Sequence, residues 1–93
     1  MKNYEGVFII DPGLKEEEAE ACIKGISQAI ISGKGEIIKE ERWGKKPLAY
    51  TIHKHREGNY CILNFKAPTD IISKLRDEYK LMPSLIRFMI IKI

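Results

Sequence analysis

The chain has 93 residues, 44% apolar and 31% charged, enough for one domain around a modest core and too apolar for a disordered chain. Its longest apolar runs, Val7 to Ile10 and Phe88 to Ile91, are too short to cross a bilayer, and Met1-Lys2-Asn3-Tyr4-Glu5 has no signal-peptide character, so a cytoplasmic protein is expected. A formal charge of +3 is weak evidence of a polyanionic partner until its distribution is known.

Tyr4 to Ile10 is rich in β-branched and aromatic residues and stops at Asp11-Pro12-Gly13, which predicts a strand and a turn. From Leu14 to Ile31, apolar residues recur at Ala19, Cys22, Ile23, Ile26 and Ile30, the stripe of an amphipathic helix. Glu16, Glu17, Glu18 and Glu20 suit the positive end of its dipole, and Gly33 is placed to end it. Gly25, inside the helix, costs about 1 kcal/mol relative to Ala, and a closely approaching neighbour is the expected reason.

Glu36 to Lys54 predicts a long extended ribbon, broken by a bulge or bend at Gly44. Arg56-Glu57-Gly58-Asn59 reads as a turn, and Tyr60 to Lys66 as the strand completing a hairpin. Pro68 and Thr69 open a second helix with Ile71, Ile72, Leu75 and Tyr79 on its inner side, and Pro83 prevents its continuation. Leu85 to Ile93 is the last strand. The order β-α-β-β-α-β predicts an α+β fold in one domain over residues 1–93, a four-stranded antiparallel sheet with two helices on one face.

A sheet covered on one face should alternate apolar and polar residues, but the first and last strands read Val7-Phe8-Ile9-Ile10 and Phe88-Met89-Ile90-Ile91. With Phe8, Ile10, Leu63, Phe65, Phe88 and Ile90 in the core, Val7, Ile9, Ile62, Met89 and Ile91 fall on the other face. An uncovered apolar face calls for a protein partner, unless a chain terminus covers it or it is simply tolerated.

Charge is distributed unevenly. Residues 1–33 hold three lysines against six acids, residues 34–60 seven cations against four acids, and residues 61–93 six against three. The cationic excess lies on the middle ribbon, Trp43-Gly44-Lys45-Lys46 to Lys54, and in the last third. Cations beside an aromatic on an extended strand suit a polyanion better than a small substrate, although such lysines can also serve only to solubilise an edge.

No catalytic apparatus is legible. There is no phosphate loop, no His-Glu-x-x-His and no nucleophile signature at Ser27, Ser32, Ser73 or Ser84. His53 and His55 share a strand face but have no third ligand at a recognisable spacing, so neither metal nor cofactor is expected. Cys22 and Cys61 lack metal or redox spacing and are expected to be buried and reduced. RNA-recognition modules share this element order and stack bases on aromatics of the third strand. The corresponding Glu57-Gly58-Asn59-Tyr60-Cys61-Ile62-Leu63-Asn64 lacks the leading cation and both aromatics, so phosphate and shape contacts at the edges are expected instead.

The whole chain resembles one family, the sixth protein of the bacterial small ribosomal subunit. The resemblance rests on Tyr4-Glu5 with Phe8, Pro12 and Leu14; Trp43-Gly44-Lys45-Lys46 with Leu48-Ala49-Tyr50, Ile52 and Lys54; and Gly58 with Tyr60. Pro68 and the closing run Ile86-Arg87-Phe88-Met89-Ile90-Ile91-Lys92 complete it. The combination of the tryptophan run with the closing Ile-Arg-x-Met pattern is specific. It implies a ferredoxin-like fold and a non-catalytic ribosomal protein, with no small-molecule substrate and no membrane. It further implies binding to the central domain of small-subunit ribosomal RNA as a heterodimer with the eighteenth small-subunit protein. Pro47 stands where the family usually has a basic or polar residue, which predicts an edge or bulge there. Thr51 stands where proline is frequent, and Lys15 where an acidic helix cap is common. Many members carry a further C-terminal tail, whose contacts are not carried over.

On this reading Lys2, Tyr4, Arg87 and Lys92 lie near RNA at one end of the first and last strands, with Lys45, Lys46 and Lys54 secondary. Arg87 is the leading candidate because a guanidinium fits phosphate bidentately. Tyr4 suits either an RNA contact or the edge of the core. A rival reading uses the apolar face for self-association, as in small regulatory domains. A hydrolase of the acylphosphatase kind is disfavoured for want of an anion-cradling arginine loop after the first strand, where Asp11-Pro12-Gly13 offers an acid.

Overall fold

A computed structural model describes the backbone of residues 1–52 and 55–93, and the side chains outside residues 49–55. Strand β1 (Lys2–Ile10) leads through an Asp11 turn to helix α1 (Glu16–Ser32), and the long strands β2 (Glu36–Ile52) and β3 (His55–Ala67) follow. A 3₁₀ turn (Thr69–Ile71) then runs into helix α2 (Ile72–Lys80), and β4 (Leu85–Lys92) closes the chain. The sheet order is β2-β3-β1-β4 with antiparallel pairing throughout. The expected β-α-β-β-α-β order and four-stranded sheet are thus present, with β1 and β3 central and β2 and β4 at the edges.

Alternation in the two central strands builds the core. Tyr4, Phe8 and Ile10 of β1 and Cys61, Leu63, Phe65 and Ala67 of β3 meet Cys22, Ile23, Ile26 and Ile30 of α1 and Ile72, Leu75 and Tyr79 of α2. The Tyr79 ring packs edge-on against Phe8 (5.2 Å) and Phe88 (5.6 Å), while its hydroxyl donates to the Ile26 carbonyl at 2.9 Å. One side chain therefore joins both helices and the sheet. Among the described residues, no buried side-chain polar atom lacks a partner.

The two ends of α1 are closed in different ways. The Lys15 side chain gives α1 no cap, but the Glu18 carboxylate accepts from the Lys15 N–H at 3.1 Å, which supplies half of a capping box. At the other end Gly33 closes α1 as expected, directly after Ser32, and the left-handed conformation (φ 68°) falls at Lys34. A Cβ at Gly33 would sit 2.7 Å from Ile71 Cδ1, so a side chain there would oblige the end of Ile71 to shift. No such constraint applies to Gly25, where a Cβ would meet only Met82 Cε at 3.4 Å. The expected close neighbour is absent.

The hairpin also differs. Residues 56–59 are not a turn: the ladder continues through Lys45↔Asn59, Lys46↔Gly58 and Pro47↔Glu57, and reaches Ile52↔His55. Glycine at 58 is retained for close packing against Ile9 and not for turn geometry. The bulge expected at Gly44 is present. Trp43 is the extra residue between the pairs Arg42↔Cys61 and Gly44↔Tyr60, and Gly44 adopts φ 75°, which glycine tolerates without a Cβ clash. Ile38 is a second extra residue between Ile37 and Lys39. Pro47 lies on an edge strand next to a further register shift, as its missing N–H requires.

The packing at Gly25 and the buried thiols are both open to test. Gly25→Ala should raise stability by about 1 kcal/mol, or roughly 4–8 °C in Tm, measured by thermal or urea unfolding. A lower Tm would mean that α1 and α2 lie too close there for a methyl group. The second test concerns alkaline pH. Burial raises the Cys22 thiol, pushes Cys61 up to about 11 from an ordinary 9.0, and raises the Tyr79 hydroxyl. The folded chain then holds protons that the unfolded chain releases, so this stabilisation is complete below about pH 9 and is lost as pH climbs through 11. The urea midpoint should fall over that window, and less steeply in Cys61→Ala. Equal slopes in the two proteins would argue against the thiol's contribution.

Candidate nucleic-acid and partner interface

The face of the sheet away from the helices is read directly from the register. Its rows run Arg87–Ile9–Tyr60–Gly44, then Met89–Val7–Ile62–Glu41, then Ile91–Glu5–Asn64–Lys39. All five residues expected on this face are there, but they are not equally available. Ile9 and Ile62 are only 8% and 4% exposed although they lie outside the helix-side core, and Val7 is half-buried. Met89 and Ile91, on edge strand β4, are 50% and 45% exposed. The apolar surface open to a partner is therefore concentrated toward the β4 edge.

Ile9 is covered partly by the hairpin. A Cβ on Gly58 would fall 2.2 Å from Ile9 Cγ2 and 3.4 Å from Leu48 Cδ2, so glycine at 58 lets the ribbon close over Ile9. Sequence reasoning had no signal for this contact, because it depends on how far the ladder extends.

The cations divide into two groups. Lys2 and Lys92 are exposed at one end of the sheet, on its helix side: Lys92 lies opposite Tyr4, and Lys2 is two residues from Tyr4 along β1. Arg87, also exposed, sits opposite Ile9 near the other end of β1, five residues and roughly 16 Å along β4 from Lys92. The structure therefore does not gather Lys2, Arg87 and Lys92 at one strand end, as expected from sequence. Lys66, exposed and opposite Asn3, stands at the same end but on the open face, and was missed. Its signal was its place beside core residue Phe65 at the end of a strand.

Lys45 and Lys46 are both exposed but alternate across β2. Lys46 lies opposite Gly58 on the open face, while Lys45 lies opposite Asn59 and lines a shallow cleft of about 420 Å³ against α1. Lys54, like His53, lies outside the described residues. Tyr4 takes the core role of the two expected for it. It is 4% exposed and its ring stacks on Phe65 at 5.6 Å, so the ring is not displayed to a nucleic acid.

The ribbon carries its own electrostatic scaffold. Arg42 bridges Glu20 of α1 and Glu40 of β2, which ties the helix to the edge strand and raises the guanidinium pKa further. Asp11 accepts from the Gly13 N–H at 2.9 Å and so fills the first turn with a carboxylate. Among the described residues no three His, Cys, Asp or Glu side chains group to hold a metal, and both cysteines are buried and free. No helix among the described residues is long and apolar enough to cross a membrane.

The Gly58 contact generates a prediction. Gly58→Ala should destabilise the domain by about 1–3 kcal/mol through overpacking against Ile9, measured by urea unfolding. Gly58→Ala combined with Ile9→Ala should recover part of that loss. A neutral single substitution would show that the ribbon can lift from Ile9 at no cost.

Comparison with known proteins adds an independent line. The family model described as Ribosomal protein S6 matches residues 3–92. Small ribosomal subunit protein bS6 of Thermoanaerobacter pseudethanolicus is 37% identical over 92 residues, 99% of this chain and 97% of that protein. The crystal structure of 30S ribosomal protein S6 from Thermotoga maritima aligns with a TM-score of 0.94 and 33% identity, covering 99% of this chain and 87% of that one. A chain from the complex of the chemotaxis kinase CheA P2 domain with response regulator CheY, from the same organism, aligns with a TM-score of 0.67 at 18% identity, a likeness of fold alone.

Proposed function

The chain belongs to the ribosomal protein S6 family and is a structural, non-enzymatic protein of the small ribosomal subunit, and from that premise we propose that it binds the central domain of small-subunit ribosomal RNA together with the eighteenth small-subunit protein. The observation that carries this reading is the half-exposed pair Met89 and Ile91 on the open face, flanked by exposed cations at both ends of the sheet. Apolar area of this kind suits a protein partner. Phosphates suit the flanks.

In this reading Arg87 and Lys46 serve RNA at one end, and Lys2, Lys66 and Lys92 at the other. Lys45, turned toward α1, is a lesser contributor, and Lys54 keeps its place on the resemblance alone. Tyr4 contributes by packing, not by contact. Val7, Ile9 and Ile62 form the floor of the partner face, and Met89 and Ile91 form its contact surface. Two separated cationic groups can engage two stretches of a folded RNA, which fits recognition of shape better than reading of a single strand.

The test is a mobility-shift titration against central-domain RNA, with and without the eighteenth protein, at two salt concentrations. Tight, salt-sensitive binding that requires the partner is expected. Arg87→Ala should weaken the complex several-fold and reduce the salt dependence without unfolding the domain. Met89→Asp with Ile91→Asp should abolish the dependence on the partner while leaving residual RNA affinity. Partner-independent binding would overturn the role given to the face. A dimer of this chain alone that persists without RNA would favour self-association instead.

A further inference from the structure

The bulge on β2 displays an aromatic group that neither the RNA contacts nor the apolar partner face uses. Trp43 is pushed out of the ladder by the register shift before Gly44, and its indole lies nearly parallel to the Tyr60 ring (17°), with centroids 6.3 Å apart. One face of the indole is thus covered, yet the residue is 53% exposed, which leaves the outer face open. The indole N–H donates to Glu41 Oε2 at 3.3 Å, and Glu41 Oε1 accepts from Lys39 at 2.9 Å. These two hydrogen bonds, with that to Lys39 the stronger, hold the carboxyl below its ordinary range. Glu41 also occupies the row of Ile62, Val7 and Met89, so the aromatic pair is continuous with the partner face.

We infer that the outer face of Trp43, with the Glu41 carboxylate at its edge, seats a cationic side chain, by preference an arginine, of the protein partner that covers the open face. The inference rests on the partner reading given under the proposed function. A guanidinium can stack flat on an indole while donating to a carboxylate beside it, and Trp is the best aromatic for this contact. At the indole itself the Glu41 carboxylate favours a cation over a nucleotide, while the cations nearby are paired with acids or stand further off. Arg42 is held by Glu20 and Glu40, and Lys39 is held by Glu41. Lys46 lies one row further along the ribbon on the same face. A base stacked on Trp43 would bring its phosphate toward Glu41, whereas a cationic side chain gains from that acid.

Trp43 is the chain's sole tryptophan, so its emission reports this seat directly. Emission and mobility shift are followed together for the chain with RNA alone, with the eighteenth protein alone, and with both. Emission should change when the partner protein joins, and RNA alone should leave it unaltered. Trp43→Leu keeps apolar bulk and removes the aromatic face, so it should weaken partner-dependent assembly about fivefold to tenfold. Glu41→Gln should weaken it several-fold and flatten its salt dependence, with circular dichroism unchanged for both variants. If the complex forms with the partner while emission and the Trp43→Leu affinity are unchanged, the seat is wrong and the partner reading stands. If RNA alone shifts the emission, a base occupies the indole and the inference falls. If no partner-dependent complex forms with the wild-type chain, the partner reading fails and takes the inference with it.

Discussion

The hydroxyl of Tyr79 organises the helical layer. Buried at the centre of the domain, it donates to the Ile26 carbonyl, and its ring meets Phe8 and Phe88 edge-on. A buried hydroxyl without a partner would cost on the order of 1–3 kcal/mol, so this contact sets the position of α2 relative to α1 as well as to the sheet. Ile71, just before α2, lies close against residue 33, where glycine leaves room for its side chain. With both helices held on one face, the other face of the sheet is left to the strands themselves.

That second face shows how the domain handles apolar residues it cannot bury under helices. Strand β1 is central and carries large apolar groups on both sides. On the helix side they are fully enclosed. On the open side Ile9 is closed in by the ribbon through Gly58, Ile62 is buried, and exposure rises toward the β4 edge. The long β2 edge is broken by extra residues at Ile38 and Trp43, and ion pairs through Arg42 bind it to α1. Bulges and charge of this kind discourage edge-to-edge pairing with another sheet. Arg76 of α2 donates to the Ile90 carbonyl of the opposite edge strand at 3.3 Å, which occupies an acceptor on that side too. Edge pairing is thereby discouraged, and the open face is left as the freer surface.

The cations obey the same geometry. Adjacent residues of a strand point to opposite faces, so Lys45 and Lys46 cannot act as one clamp. Residues near the two ends of β4 lie far apart, so Arg87 and Lys92 belong to different surfaces. A structural protein of a ribonucleoprotein gains from such separation, because contacts spread around a rigid domain fix its orientation on a folded RNA.

The element order, the composition of the core, the two-sided apolarity of β1 and β4, the bulge at Gly44 and the edge position of Pro47 are all written in the order of the residues. Each follows from local rules: period, alternation, turn chemistry and the missing proline N–H. The family was legible as well, through the tryptophan run and the closing Ile-Arg-x-Met. Whatever depends on register came from the folded sheet. The ladder extends through residues 56–59, with Gly58 close against Ile9, where local composition reads as a turn. Tyr4 stacks on Phe65 and leaves the RNA candidates, Lys66 joins them, and Trp43 stands nearly parallel to Tyr60 at the margin of the open face. These placements depend on which residues stand opposite one another across strands far apart in sequence, and no local pattern encodes that pairing.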